Sequence, residues 1–233
     1  MTDFSNRSYK KELLDRDDIP FADIQQNMKE LEFINSRLGG HNITIAGFKK
    51  LAGERKNISV CEIGSGGGDN LNAIYMHSSK KDIHIKFTGI DINADCIVYA
   101  KKNTAIPDEN FIVSDYKNVD FKNNKPDIIF SSLFCHHFRD EELITMMQWM
   151  KANSKLGFFI NDLHRHSVAY YFIKLATKLF SRSYLVKNDA PLSVLRGFKK
   201  IEWENILDRS GITNYSLKWK WAFRYLIVVK DEQ

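Results

Sequence analysis

The hydrophobic positions of this chain change period repeatedly along its length. Short apolar runs at 58–63, 85–90, 111–113, 126–132 and 156–160 have the length of buried strands. Between them apolar residues recur every three or four positions. Leu71, Ile74 and Tyr75 follow the first run in this way, and Leu143, Met146, Met147 and Met150 follow the fourth. Alternation of this kind predicts a parallel sheet covered by helices on both faces. Upstream, Ile24, Met28, Leu31, Ile34 and Leu38 space out a helix from Phe21 that Gly39-Gly40 stops, and a second short helix is expected over 43–51. The residues before these, through Asp17-Asp18, are polar and mixed in charge and are expected to be mobile until Ile19-Pro20. Downstream, Val168, Tyr171, Phe172, Leu175, Ala176 and Leu179 share one face of a helix over 167–180. A helix over 201–209 ends at Gly211. The alternation of Tyr215, Leu217, Trp219 and Trp221, then the run 225–229, reads as two closing strands.

Composition narrows the class without changing this picture. A chain of 233 residues suits one α/β domain with a small appendage. At that size roughly 70–75% of the unfolded surface is buried, so neither disulfide nor metal is needed to hold a core. Cys61, Cys96 and Cys135 lie far apart and form no metal spacing. With no signal peptide and no apolar run of about 18 residues, a cytoplasmic protein is expected. The net charge of +5 is mild, but its location is not even. Between Ser167 and Lys200 seven cations face one acid, Asp189, a local balance of 7 − 1 = +6.

The first strand run ends in Glu62-Ile63-Gly64-Ser65-Gly66-Gly67-Gly68-Asp69. A glycine turn between strand and helix lets a ligand lie directly on the backbone, under the free N–H groups of the next helix. The dinucleotide pattern Gly-x-Gly-x-x-Gly fails, because its last position falls on Asp69. What stands there is Glu-x-Gly-x-Gly-x-Gly, which resembles the first motif of the class I S-adenosylmethionine-dependent methyltransferases. The second strand run closes on Asp91, 23 residues after Gly68. A carboxylate there can accept hydrogen bonds from both hydroxyls of a ribose, or cap the helix from Ala94 onward, or both. The third run leads to Ser114-Asp115-Tyr116, where the family resemblance implies contact with the adenine amino group and ring.

Strands four and five lead to Phe134-Cys135-His136-His137-Phe138 and to Asn161-Asp162-Leu163-His164-Arg165-His166, which hold four of the seven histidines. Adjacent histidines are expected to point apart, and His164 and His166 have no accompanying Cys or Glu pattern, so no metal is expected. Base catalysis fits better. A phenol has a pKa near 10 and a histidine near 6.5, so a histidine can assist its deprotonation. Holding donor and acceptor in line supplies roughly 7–11 kcal/mol, against about 10²- to 10⁴-fold from a base. His137, His164 and His166 are the catalytic candidates, with no single one singled out. Arg165 is expected to hold either an anionic substrate or a structural carboxylate such as Asp162. Asp140 is expected to cap the helix after the first loop.

As a set, these motifs resemble the class I small-molecule methyltransferases over residues 57–233. The resemblance implies a Rossmann-like, seven-stranded, mostly parallel sheet with helices on both faces and the last strand antiparallel. It also implies an N-terminal helical cap over 1–56 and a basic helical lid within 167–200. It implies S-adenosylmethionine as cofactor, with S-adenosylhomocysteine as product, held by Glu62, Gly64, Ser65, Gly66, Gly68, Asp91, Ile92, Asp115, Tyr116 and Ser131. Substrate contacts would come from Phe134, His136, Arg165 and Tyr170. A closer likeness, over 161–179 and 190–198, is to bacterial methyltransferases of polyketide or aryl-lipid pathways. It implies O- or C-methylation of a phenolic or quinone-like compound, with or without a lipid tail. The basic segment leaves three further readings open: a lid, a peripheral membrane contact or a solvated face. RNA or protein methylation is disfavoured, because strand four ends Ser131-Ser132-Leu133-Phe134 and lacks the Asn/Asp-Pro-Pro-aromatic run of the amino-methylating enzymes. A non-catalytic binder is the third class of reading. The oligomeric state is left open.

Overall fold

The unbroken apolar runs become the middle of one sheet. In the computed structural model, which describes residues 2–16, 18–107 and 110–231, seven strands lie in the order β3-β2-β1-β4-β5-β7-β6. They are β1 (Asn57–Ile63), β2 (His84–Asp91), β3 (Asn110–Val113), β4 (Ile128–Ser132), β5 (Gly157–Leu163), β6 (Tyr215–Lys220) and β7 (Arg224–Lys230). The first five pair in parallel, and β7 enters antiparallel between β5 and β6. This is the Rossmann-like architecture that the alternation of strands and helices implies. Every residue of β4 is buried, as a strand covered on both faces must be.

Among the described residues eight α-helices join and cover the strands: α1 (Phe21–Arg37), α2 (Gly40–Ala52), α3 (Asp69–Ser78), α4 (Ala94–Asn103), α5 (Asp140–Asn153), α6 (Ser167–Phe180), α7 (Tyr184–Arg196) and α8 (Lys200–Arg209). Successive strand residues point to opposite faces, so each strand feeds two cores. Ile129, Phe158 and Ile160 pack under α5 and α8 with Met146, Met147, Met150 and Trp203. Ile128, Phe130 and Phe159 face the other way, onto Phe48, Leu71, Ile74 and Ile97. The methionines of α5 are therefore core. Among the described residues no helix is long and apolar enough to cross a membrane.

Three expectations change, and the structure settles two features the pattern left open. The N-terminal residues are not loose: Arg7 and Glu12 are buried and tie residues 2–16 across one end of the sheet. Asp17, at the expected end of the mobile stretch, lies outside the described residues. Asp140 is the first residue of α5 rather than its cap, and Glu142 instead accepts the Arg139 N–H at 2.8 Å. Asn93, not Asp91, caps α4 through the N–H groups of Asp95 and Cys96. Residues 184–196 form the helix α7, whose internal Pro191 hides it from a reading by pattern. The apolar stripe of α6 faces solvent, and its smaller side, Ala169, Tyr170, Ile173 and Thr177, packs inward.

Candidate active site

Strand β1 ends at Ile63, and the chain reverses through three glycines with positive φ, at Gly64, Gly66 and Gly68. Gly64 is forced by packing as well, since a Cβ there would lie 2.2 Å from the Phe134 ring. Gly66 differs: a Cβ would meet only the Met28 sulfur at 3.8 Å, so its exposed face is free for a ligand. The turn is held from the next strand. Asp91 Oδ2 accepts the Gly66 N–H at 2.8 Å, and Oδ1 accepts the Asn93 N–H at 2.9 Å. Each oxygen keeps a further lone pair. Burial pushes the Asp91 carboxyl above its ordinary range, opposed by those same backbone N–H groups.

A cavity of about 800 Å³ opens beside this turn, large enough for a cofactor and an acceptor together. Of the expected cofactor residues, Gly64, Ser65, Gly66, Asp91 and Ile92 line it. Ile92 is 75% exposed there, an apolar platform at the rim. Asp69 at the start of α3 also faces the cavity, held by His41 Nε2 and Asn35 Nδ2, each 2.8 Å away. Burial raises the Asp69 carboxyl, but His41, Asn35 and the Asn70 N–H outweigh it and keep it below the usual range. Arg224 of β7 also lines the cavity, buried, with Nη1 lacking a hydrogen-bond acceptor among the described residues. Burial pulls this guanidinium down to about 10 despite Asp162 and Asp69 nearby.

Other expected cofactor contacts stand outside the cavity. Glu62 is fully buried beneath the turn, where burial, then Asp69 and Asp91, push its carboxyl well above the usual range. Ser131 Oγ pairs with Cys135 Sγ at 3.3 Å. Asp115 caps its own short turn by accepting the Lys117 N–H, and Tyr116 is buried edge-on against Trp149 and Phe134. A short apolar strand followed by a polar cluster does not fix which way that cluster turns; here Tyr116, at the start of the 3₁₀ turn 116–118, enters the core while Asp115 stays half-exposed.

The histidine loops separate cleanly. His136 and His137 line the cavity, on a 3₁₀ turn over 135–137. Adjacent side chains would diverge on a strand, but this turn brings their rings to 4.5 Å between centroids. Asp162 organises the loop: its carboxylate meets His136 Nδ1 at 2.8 Å and accepts the N–H groups of Phe134 and His136. Burial raises the Asp162 carboxyl, but the charge and hydrogen bond of His136 outweigh it, leaving it low. His137 Nδ1 lies 3.4 Å from Asp15 and its Nε2 3.8 Å from Glu12. Burial raises the Glu12 carboxyl above its ordinary range in spite of His137, Ser193 and Arg196. Glu12, His136 and His137 each offer one atom within 4.8 Å of the others, a spacing a divalent ion accepts. Arg196 Nε already stands 4.0 Å from Glu12, however, and Arg7 also donates to the loop, so cationic groups occupy this corner.

His164 and His166 do not reach the cavity. His164 accepts from Trp219 Nε1 at 3.2 Å and packs near Tyr225. Burial, then His166 and Arg165, push its imidazole down to about 4, too acidic to take a phenolic proton well. His166 caps α6 through the Val168 N–H. Tyr170 packs against Phe4, and of the expected substrate contacts only Phe134 and His136 line the cavity. Arg165 is structural. Its guanidinium forks onto Glu202, at 2.6 and 3.0 Å, and donates to the carbonyls of Phe4, Ser5 and Gly197. Asp162, the carboxylate expected for it, serves His136 instead. Arg165→Ala is thus expected to cost about 3 kcal/mol of stability, because carbonyls and a carboxylate lose their donor. Chemical denaturation measures that loss, with cofactor affinity of the folded fraction unchanged.

Residue pattern alone misses Arg7, Glu12, Asp15, Arg196 and Arg224. Arg196 donates to the carbonyls of His136 and His137, and Arg7 to that of Phe138, so two arginines hold the histidine turn in place. The one local signal was the apolar pair Leu13-Leu14 between two acids.

A family model described as a methyltransferase domain matches residues 54–207. No curated protein sequence matches the chain. Similar solved structures include the plantazolicin methyltransferase BpumL in complex with SAH, 18% identical, covering 90% of this chain and 99% of that one at a TM-score of 0.63. Human N-acetylserotonin methyltransferase in complex with SAM is 15% identical, covering 92% of this chain and 57% of that one, at 0.63. Magnesium protoporphyrin IX methyltransferase from Synechocystis is 13% identical, covering 85% and 82%, at 0.55. At these identities the structures speak for the fold, while the family match spans well over half the sequence: the chain belongs to the methyltransferase domain family.

Proposed function

We propose that the protein is an S-adenosylmethionine-dependent methyltransferase acting on a phenolic, quinone-like or polyketide-derived small molecule, at oxygen or at a ring carbon. The observation that carries this reading is one continuous cavity lined together by the glycine turn, Asp91 and His137. The residues fit the cofactor. Asp91 has free lone pairs for ribose hydroxyls, Asp69 is a half-buried anion suited to the ammonium group, and the unpartnered Arg224 Nη1 suits the carboxylate. When bound, S-adenosylmethionine supplies a methyl group on a positively charged sulfur.

The chain's own residues do the rest. The apolar walls, among them Met28, Leu133, Phe134 and Phe172, align an aromatic acceptor and exclude water. His137 Nε2 takes the acceptor's proton, while Asp15 at Nδ1 orients the ring and Glu12 stabilises the charge gained. Nucleic acid fits poorly, because the exposed cations of 167–187 alternate with exposed apolar side chains rather than forming a continuous basic track.

Methyl-labelled S-adenosylmethionine with a cell extract, partitioned into organic, protein and RNA fractions, tests the reading. Label is expected in the organic fraction. Label in protein or RNA would replace the acceptor class and leave the cofactor reading standing.

A further inference from the structure

The apolar stripe of α6 is turned away from the protein. Val168, Tyr171, Phe172, Leu175 and Leu179 are each more than half exposed, and Phe180 is 85% exposed. At 3.6 residues per turn the first five fall within an arc of about 100°. Single exposed apolar residues are ordinary, whereas a contiguous stripe marks an interaction surface.

Two further observations say what covers it. The first is charge. Lys174, Lys178, Arg182 and Lys187 are all exposed, and no acid occurs between Ser167 and Lys187. Lys174 and Lys178 lie together along one flank of the stripe, the arrangement of a helix lying in the headgroup region of a bilayer. The second is aromatic. Trp219, near the end of β6, and Trp221, in the turn to β7, are 49% and 70% exposed. Phe223 of that turn stacks on His166, the N-cap of α6, at 4.9 Å and meets the Trp219 ring edge-on at 6.1 Å, so Trp219 adjoins the start of the stripe. Tryptophan favours the membrane–water boundary. An antiparallel second copy, paired about a two-fold axis that crosses the stripe at right angles to the helix, would set the same lysine flank against its counterpart.

We propose that this face docks the protein on an anionic membrane surface, the stripe entering the headgroup boundary and the flanking cations meeting lipid phosphates. The face adjoins the active site, since Phe172 and Ile173 line the cavity as well. Granted the proposed phenolic acceptor, a hydrocarbon tail on it would remain in the bilayer while its ring enters the cavity. The docking itself rests on the face, not on the acceptor.

Flotation of the full-length protein with phosphatidylcholine vesicles, with and without phosphatidylglycerol, tests the docking. Binding is expected to the anionic vesicles and to weaken about tenfold on neutral ones or in high salt. The double variant Leu175→Glu/Leu179→Glu alters only exposed positions and keeps its circular dichroism spectrum. It is expected to lose about a hundredfold in vesicle affinity. Absent flotation, equal binding to neutral vesicles, or a dimer in sedimentation velocity that the double variant splits would each overturn the docking. Methyl transfer to a soluble acceptor without vesicles is measured separately, so a failed acceptor and a failed docking give different results.

Discussion

Asp91→Ala is expected to weaken S-adenosylmethionine binding by a hundredfold or more while leaving the protein folded. The magnitude follows from two charge-assisted hydrogen bonds to ribose hydroxyls, each worth about 1.5–3 kcal/mol, with 1.4 kcal/mol for every factor of ten. The mild effect on folding follows from the sign of the carboxyl's shift. Burial raises Asp91, so the folded chain holds its proton more tightly than the unfolded chain. Its contribution to stability is therefore fully present below the unfolded value and is lost as pH rises through the folded one. At neutral pH a buried charge is removed along with its two bonds to Gly66 and Asn93, and the melting temperature is expected to move by only a few degrees. The same shift makes binding pH-dependent: cofactor affinity should fall as pH drops through the Asp91 value, because a protonated carboxyl loses acceptor capacity. Calorimetry across pH measures both. An unchanged affinity in the variant would remove Asp91 from the cofactor site.

His137→Ala is expected to slow methyl transfer to a phenolic acceptor by about 10²- to 10⁴-fold, the range of a lost general base, with cofactor affinity unchanged. The pH profile separates this role from a merely structural one. A phenol ionises unaided near pH 10, so the deficit should shrink as pH approaches that value. A constant deficit would mean that His137 shapes the cavity instead. Glu12→Gln keeps the acceptor for Ser193 Oγ, 2.7 Å away, but removes the charge facing His137. It is expected to lower the rate about tenfold, as the loss of a supporting rather than a reacting group. His164→Ala, at a residue outside the cavity, should leave the rate and its pH profile intact.

How far these residues were legible depends on whether their role is set by neighbours in the chain. The glycine turn was legible because Gly64 and Gly66 need a backbone that only glycine adopts readily, and that need is local. Asp91 was legible because a strand end fixes its position against the adjacent turn. Asp115 and Tyr116 were also placed past a strand end, but neither lines the cavity: Asp115 caps the short turn that follows it, and Tyr116 packs into the core against Trp149 and Phe134. The two histidine loops carried equal chemistry in the sequence. Only packing divided them, since Arg7 and Arg196 hold the first loop against the cavity and Arg165 locks the second onto Glu202.

Periodicity read along the chain thus determined the strands, most of the helices and the parallel character of the sheet. The period of each element rests on residues close in sequence, and the alternation of strand with helix implies parallel pairing. The tertiary structure alone decided that Glu12 reaches His137 across 125 positions (137 − 12) and that the stripe of α6 faces outward. A period of 3.6 shows that a helix has an apolar face. It does not show whether protein or another surface covers that face, because that depends on elements distant in the chain.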